Sequence, residues 1–283
     1  MIPFTLIYLL LAILCVAVVV IWSNRKVSAL QRQIIEKEEE LELVYVRVRE
    51  VDQLKSDIVS LAAHQIRSPL VAISGYASMI VEGDFGRVQG QVKSAIKKIA
   101  DSSENLMAIA NEFLDVSHID DGREKYYMKS FDIKRMSMSV VSRKLLSAKK
   151  AKIDLDFSYE KGKDYEVFAD EEKIKKVITS LIDNAIRYTK EGWVKVHVEK
   201  IDGKIRLSVK DTGVGISHKE IKKLFHKFSR TKEATKIDVA GTGLGLYIAK
   251  EMLRAQGGDI WASSDGLGKG STFTIELSAR NDK

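Results

Sequence analysis

The chain has 283 residues, 30% charged and 45% hydrophobic, a composition of folded protein with length for about two domains plus extras. Its formal net charge of +7 is mild and spread along the sequence, so no nucleic-acid partner is implied, and an anionic membrane face is the simpler match. A single cysteine, Cys15, excludes a disulfide framework and a cysteine-based metal site, and His64, His118, His197, His218 and His226 show no metal-ligand spacing.

From Ile2 to Trp22 no charged residue occurs, a run long enough to cross a bilayer as a helix. Arg25, Lys26 and Arg32 follow it and no basic residue precedes it, so the positive-inside rule puts the remainder in the cytoplasm. A cleaved signal peptide fits poorly, because there is no basic start and no small-x-small site. The expectation is a single-pass anchor in the inner (cytoplasmic) membrane. Since Met1 begins the run, no extracytoplasmic sensor domain is expected.

Val27, Leu30, Ile34, Leu41, Val44, Val48 and Val51 recur in steps of three and four, a coiled-coil pattern with Lys37 at one polar position. Val48, Val51 and Leu54 break the phase as a stammer does, and Leu54, Ile58 and Leu61 continue in the new phase. A second seam runs through Val92, Ile96, Ile99, Ser103, Leu106, Ala110, Phe113 and Ser117, after a turn-like Glu82-Gly83-Asp84-Phe85-Gly86. These predict a helical hairpin. Two copies pair as a four-helix bundle, because one hairpin leaves its apolar stripe bare.

Residues 64–70 of the first hairpin helix read HQIRSPL. Pro69 removes a backbone hydrogen bond and is expected to kink the helix within a turn or so of His64. The string resembles the H-box of sensor histidine kinases, whose dimerisation and phosphoacceptor domain is a helical hairpin. The resemblance implies that His64 accepts the phosphoryl group, an imidazole nitrogen acting as nucleophile. The family usually carries Glu or Asp next as general base, whereas this chain has Gln65, whose carboxamide orients a ring but takes no proton. Slow autophosphorylation, or water as base, is therefore expected. Ser68 stands where the family has a Thr, Ser or Asn linked to phosphatase activity.

From about residue 125 the pattern changes. Residues 153–157, 165–169, 192–200, 204–210, 260–263 and 271–277 read as strands, with Asp202-Gly203 as a hairpin turn. Helices are expected at 171–188, capped by Asp170, at 218–228 and at 245–256. Together they predict an α+β sandwich. On one face of the 171–188 helix, Ser180, Asn184 and Arg187 line up, an arrangement suited to a magnesium-bound phosphate chain. Asp211 ends a strand before Gly213 and Gly215 and could accept from a purine amine. Gly241-Thr242-Gly243-Leu244-Gly245 opens a helix as an anion site, and Gly268-Lys269-Gly270-Ser271-Thr272 leads into the last strand.

This ordered set is similar to the catalytic domain of histidine kinases, a fold shared with gyrase and the mismatch-repair ATPases. The similarity implies ATP and Mg²⁺, with Asn184 as the magnesium ligand and Arg187 and Tyr188 at the nucleotide. Asp211, Gly213 and Gly215 match the adenine box, Phe225 and Phe228 the F-box, and Gly241, Thr242, Gly243, Leu244 and Gly245 the phosphate-side glycine box, with Thr272 also at the ATP site. Ser180 replaces an asparagine often found there. His226 to Ala240 would be a mobile lid. The resemblance covers roughly residues 50–280.

The expected organisation is an anchor at 1–22, a coiled-coil signalling helix at 23–53, a dimerisation and phosphoacceptor domain at 54–120 and an ATP-binding catalytic domain at 121–283. The implied partners are a second copy, a separate response regulator whose receiver aspartate takes the phosphoryl group, and the membrane. The phase break at 48–54 is expected to carry signal as coil twist. Two rivals stay open: a tethered dimer acting as phosphatase or nucleotide-sensing pseudokinase, favoured by Gln65, and a clamp-driving ATPase of the same fold.

Overall fold

A computed structural model describes residues 4–238 and 241–280. The chain divides into two compact units, Met1–Ile58 and Val59–Lys283.

The first unit is helical and belongs to α1 (Phe4–Glu82). Its expected coiled-coil residues, among them Val27, Leu30, Ile34, Leu41, Val44, Val48 and Val51, are all exposed. A single helix offers them no cover, so the stripe is complete only against another helix. The membrane-crossing helix expected over residues 2–22 is not confirmed. Among the described residues no helix is long and apolar enough to cross a membrane, and residues 1–3 lie outside them.

In the second unit α1 continues to Glu82, and α2 (Gly90–Asp120) completes the hairpin. Pro69 lies inside α1 without interrupting it. The expected seam divides in two. Buried positions recur every seventh residue at Ala63, Leu70 and Ala77 in α1, and at Ser103, Ala110 and Ser117 in α2. Leu61, Val92, Ile99, Leu106 and Phe113, expected in the core, are exposed. Small side chains fill the inner seam, and the bulky apolar ones are left on a surface that one hairpin cannot cover.

The C-terminal body begins with β1 (Lys129–Asp132) and α3 (Ile133–Lys150), neither of which was expected. It continues through β2 (Ile153–Tyr159), β3 (Glu166–Ala169), α4 (Glu171–Tyr188), β4 (Gly192–Ile201) and β5 (Lys204–Asp211). Then come α5 (His218–Ile221), α6 (Lys232–Ile237), α7 (Gly245–Arg254), β6 (Asp259–Ser263) and β7 (Thr272–Ser278). The main sheet has the order β2-β4-β5-β7-β6, parallel only between β2 and β4, while β1 and β3 form a small antiparallel pair. The α+β sandwich is therefore as expected.

Alternation sets the core face of this sheet. Val194, Val196 and Val198 on β4, Ile205, Leu207 and Val209 on β5, and Ile275 and Leu277 on β7 are buried while their neighbours are not. α4 answers with Ile174, Val177, Ile178, Leu181 and Ile182 at helical spacing, all at most 1% exposed. Asp170 caps α4 as expected: its Oδ1 accepts from Lys173 N at 3.1 Å. Its Oδ2 also accepts from Tyr127 N at 2.8 Å, which fastens the segment after α2 to the start of α4. Asp202 and Gly203 turn the β4–β5 hairpin with left-handed φ of 50° and 74°.

Two expected helices are shorter than anticipated. The helix over 218–228 stops at Ile221, after which the N–H groups of Lys223, Leu224 and His226 bond three residues back, in tighter turns. Phe228, at φ 59°, ends the segment. The helix from Gly245 ends at Arg254 instead of Gln256. The expected lid is not structureless, because Thr231 caps α6 through Ala234 N at 3.1 Å. The lid's last residues, Val239 and Ala240, lie outside the described residues.

Candidate functional site

A cavity of about 850 Å³ opens between α4, the β5 end, the lid segment, the turn before α7 and one side of α2. Of the expected residues, Asn184, Arg187, Tyr188, Asp211, Gly215, Gly241, Thr242, Gly243 and Gly245 line it together. Ser180 lines it too, one turn before Asn184. Residues spread over some sixty positions of sequence converge because α4 and α7 pack side by side under the sheet, with the strand end of Asp211 at their edge.

Asp211 is 4% exposed and its oxygens are almost fully engaged. Oδ1 accepts from Gly213 N at 2.8 Å and Ser271 N at 3.2 Å, and Oδ2 accepts from Ser271 Oγ at 2.6 Å. Burial pushes its carboxyl above the usual range, and the three donors pull the other way. One acceptor direction of Oδ2 is left for the cavity, the geometry an exocyclic amine needs. Gly215 carries φ 68°, and a Cβ there would stand 2.1 Å from the carbonyl oxygen of Gly266. Only glycine lets these two turns close on one another beside Asp211.

At the opposite end, Thr242 Oγ1 accepts from Leu244 N at 3.2 Å and so shapes the entry to α7. The same hydroxyl donates to Glu112 Oε2 on α2. Arg187 lines the cavity, but its Nη1 is paired with Asp238 Oδ2 at 2.6 Å. Asp238 in turn accepts through its backbone carbonyl from Arg230. The α4 face offers a carboxamide and a hydroxyl oxygen, from Asn184 and Ser180, and among the described residues no three or more Asp, Glu, His or Cys side chains are grouped so as to hold a metal ion. That neutral oxygen set fits magnesium, which keeps waters and takes its remaining ligands from phosphate.

Other expected residues stand off the cavity. Gly213 donates its N–H to Asp211 without lining the space, Leu244 is fully buried beneath the turn, and Thr272 sits within β7. Phe225 packs on the core beneath Lys250, and Phe228 is exposed, its ring 6.5 Å from that of Phe113 on α2. His64 and Gln65 are exposed on α1, as is Ser68, and none of them lines the cavity. From this helix Arg67, about one turn after His64, donates through Nη2 to Asn111 Oδ1 beside Glu112.

Sequence reading missed Glu112, Ser271 and Asp238. Ser271 was legible in principle, lying within the third glycine string. Glu112 and Asp238 carry no motif, and tertiary packing alone brings them in. Glu112 is accompanied on α2 and the segment after it by Asp115, Asp120 and Glu124, which pair with Lys176, Lys227 and Lys173 of the C-terminal body.

Comparison with known proteins gives the same two parts. Residues 54–122 match the His Kinase A (phospho-acceptor) domain, and residues 169–281 match the histidine kinase-, DNA gyrase B- and HSP90-like ATPase family. The chain is 28% identical to the circadian input-output histidine kinase CikA of Synechococcus elongatus, over 88% of this chain and 33% of that protein. It is 30% identical to the sensor histidine kinase WalK of Bacillus subtilis, over 82% and 38%. The solved structure of histidine kinase ThkA in complex with response regulator protein TrrA superposes with a TM-score of 0.52 at 25% identity, over 79% of this chain and 61% of that one. The chain spans about a third of the length of the curated relatives it matches.

A phosphoacceptor-type hairpin joined to an ATPase-type sandwich defines the class. This chain belongs to the sensor histidine kinases of two-component systems.

Proposed function

We propose that this chain is an ATP-dependent protein-histidine kinase that phosphorylates His64 and passes the phosphoryl group to an aspartate on a separate response regulator. The observation that carries the reading is the shared cavity. Asp211 with its spare acceptor direction at one end, and the Thr242 turn with Asn184 and Arg187 at the other, match the two ends of an adenine nucleotide. ThkA, solved with a response regulator, supports the choice of partner.

In this reading Asp211 orients the base, and Asn184 and Arg187 with the glycine turn hold the phosphate chain. Magnesium, when bound, neutralises charge on the phosphate oxygens. The unprotonated imidazole nitrogen of His64 forms the bond to the terminal phosphorus as the bond to the bridging oxygen breaks and ADP leaves; the single proton on the other ring nitrogen passes to water, since Gln65 takes none. His64 does not line the cavity of its own chain, so transfer requires either a changed arrangement of hairpin and body or delivery across the dimer to the second copy.

The exposed residues Leu61, Ile99, Leu106 and Phe113 support a homodimer that pairs two hairpins. The uncharged run at 2–22, followed by Arg25 and Lys26, supports a tether to the inner membrane with the catalytic part in the cytoplasm; membrane fractionation of cells tests it. A second reading, a phosphatase or nucleotide sensor without kinase activity, is favoured by Gln65.

Incubation with γ-labelled ATP and magnesium decides between them. Acid-labile, base-stable label on the wild type and none on His64→Ala is expected, followed by transfer to a receiver protein. Nucleotide binding without label on the wild type would overturn the kinase reading.

A further inference from the structure

Glu112 reaches from the second hairpin helix into the phosphate end of the cavity. Its Oε2 accepts from Thr242 Oγ1, and its Oε1 stands 3.7 Å from where a Cβ on Gly245 would sit, over the first residue of α7. α7 starts there with unsatisfied backbone N–H groups and a positive end, a place that favours an anion. Ser180 Oγ lies on the same spot, at 3.4 Å from that Cβ position. The carboxylate is thus seated where the glycine turn, Asn184 and Arg187 converge.

This seat is not a comfortable one for a charge. Burial raises the carboxyl's proton affinity most, Asp115 adds to that, and only Thr242, Lys176 and Arg187 favour the ionised form. A carboxylate held in a partly dry site against a hydroxyl and a helix start behaves as a stand-in for a phosphate oxygen pair.

We propose that Glu112 competes with the phosphate chain of the nucleotide, so that docking of α2 and binding of a terminal phosphoryl group exclude one another. The proposal rests on the reading of the cavity as an ATP site and names a regulator of that site. Two anions in one low-dielectric space repel, and the repulsion grows with the number of phosphates. By linkage, ATP then loosens the contact of α2 with the Thr242 turn as much as that contact weakens ATP. Adenosine, lacking phosphates, is indifferent to it.

The test is calorimetric binding of ATP, ADP and adenosine, with magnesium, to the full chain in detergent, in a His64→Ala background that prevents turnover. Glu112→Gln keeps the shape and removes the charge. Its expected effect is a gain in ATP affinity of about fivefold or more, the lower end of ordinary site-to-site couplings, with a smaller gain for ADP and none for adenosine. Asp120→Asn is the control. Asp120 bonds Lys227 and Tyr247 across the same contact, and none of the three lines the cavity, so loosening that contact alone should give no dependence on phosphate number. Equal ATP affinity in wild type and Glu112→Gln would overturn the proposal. So would equal gains for all three ligands, or the same graded gain in Asp120→Asn. Failure of the wild type and the variants alike to bind any of the three would instead overturn the ATP reading itself.

Discussion

Glu112 on the second hairpin helix accepts a hydrogen bond from Thr242 in the turn that opens α7, and this contact spans 130 positions of sequence. It ties the domain that carries His64 to the loop expected to hold phosphate. Because Glu112 is partly buried, its carboxyl is pushed above the ordinary value of 4.5.

The stability consequence has a definite sign. The folded chain favours the protonated form of Glu112, so this group's favourable contribution is full below 4.5 and is lost as pH rises through the higher folded value. Glu112→Gln carries no charge at any pH. Its thermal midpoint should therefore match the wild type at the acid end and exceed it increasingly towards neutrality. A gap that does not vary with pH would count against a desolvated carboxylate.

The acidic side of α2 should respond to salt. Asp120 pairs with Lys227 at 2.5 Å and accepts from Tyr247 Oη at 2.9 Å, and Asp115 and Glu124 pair with Lys176 and Lys173. These pairs are partly exposed, each worth about 0.2–1 kcal/mol. Raising salt from about 0.05 to about 0.5 M should increase amide exchange along the α2 face that meets the body. Asp120→Lys should do the same at low salt, and Asp120→Lys with Lys227→Asp should restore protection.

Space and backbone conformation can be separated at two glycines. Gly215→Ala forces a Cβ to within 2.1 Å of a carbonyl oxygen, whereas a Cβ on Gly268, at φ 74°, meets nothing within 4 Å. Gly268→Ala should cost only the left-handed backbone term, about 1 kcal/mol. Gly215→Ala should cost more than twice as much and abolish nucleotide binding, since the turn beside Asp211 must move. Thermal melts and nucleotide titration of both variants measure this, and equal effects would contradict it.

The uncovered apolar side chains of the hairpin should hold two copies together. Leu106 is 50% exposed and Ile99 51%, on the same side of α2. Ile99→Asp with Leu106→Asp should give a monomer in analytical ultracentrifugation, while melting of the C-terminal body changes little.

Gln65 predicts slow phosphorylation. A positioned general base is worth about 10²–10⁴ in rate. Gln65→Glu should raise the autophosphorylation rate and add an acid limb to its pH profile. No rise across neutral pH would mean that proton removal does not limit the reaction.

Much of this could be read from sequence because it is local. Alternation gave β4 and β5, helical spacing gave α4, and Asp170 marked its cap. α3 was legible in principle, since Ile133, Met136, Val140 and Val141 recur at helical spacing and are buried, but Ser137 within that stripe and the exposed Met138, Leu145 and Leu146 outside it blur the pattern. The hairpin seam was misassigned in part, for a related reason. Ser103, Ala110 and Ser117 of the expected second seam are buried, but Leu61, Leu106 and Phe113 of the same reading are exposed, and the partners in α1 are Ala63, Leu70 and Ala77, which hydrophobic size did not single out. The glycine strings gave the floor of the cavity. Its α2 wall, with Glu112 and Asn105, depends on how two domains pack, and no motif encodes that.

The double engagement of Asp170 limits how the body can travel. One carboxylate both starts α4, the helix that presents Asn184, and holds the N–H of Tyr127. If the body swung about a pivot beyond Tyr127, this carboxylate would release one of them, and losing the cap costs about 1 kcal/mol. A pivot within Asp121–Tyr126 leaves both intact. The link from hairpin to body is therefore a short tether with a fixed far end, and under the proposed transfer its reach would be set by residues 121–126, where Gly122 turns the chain at φ 64°.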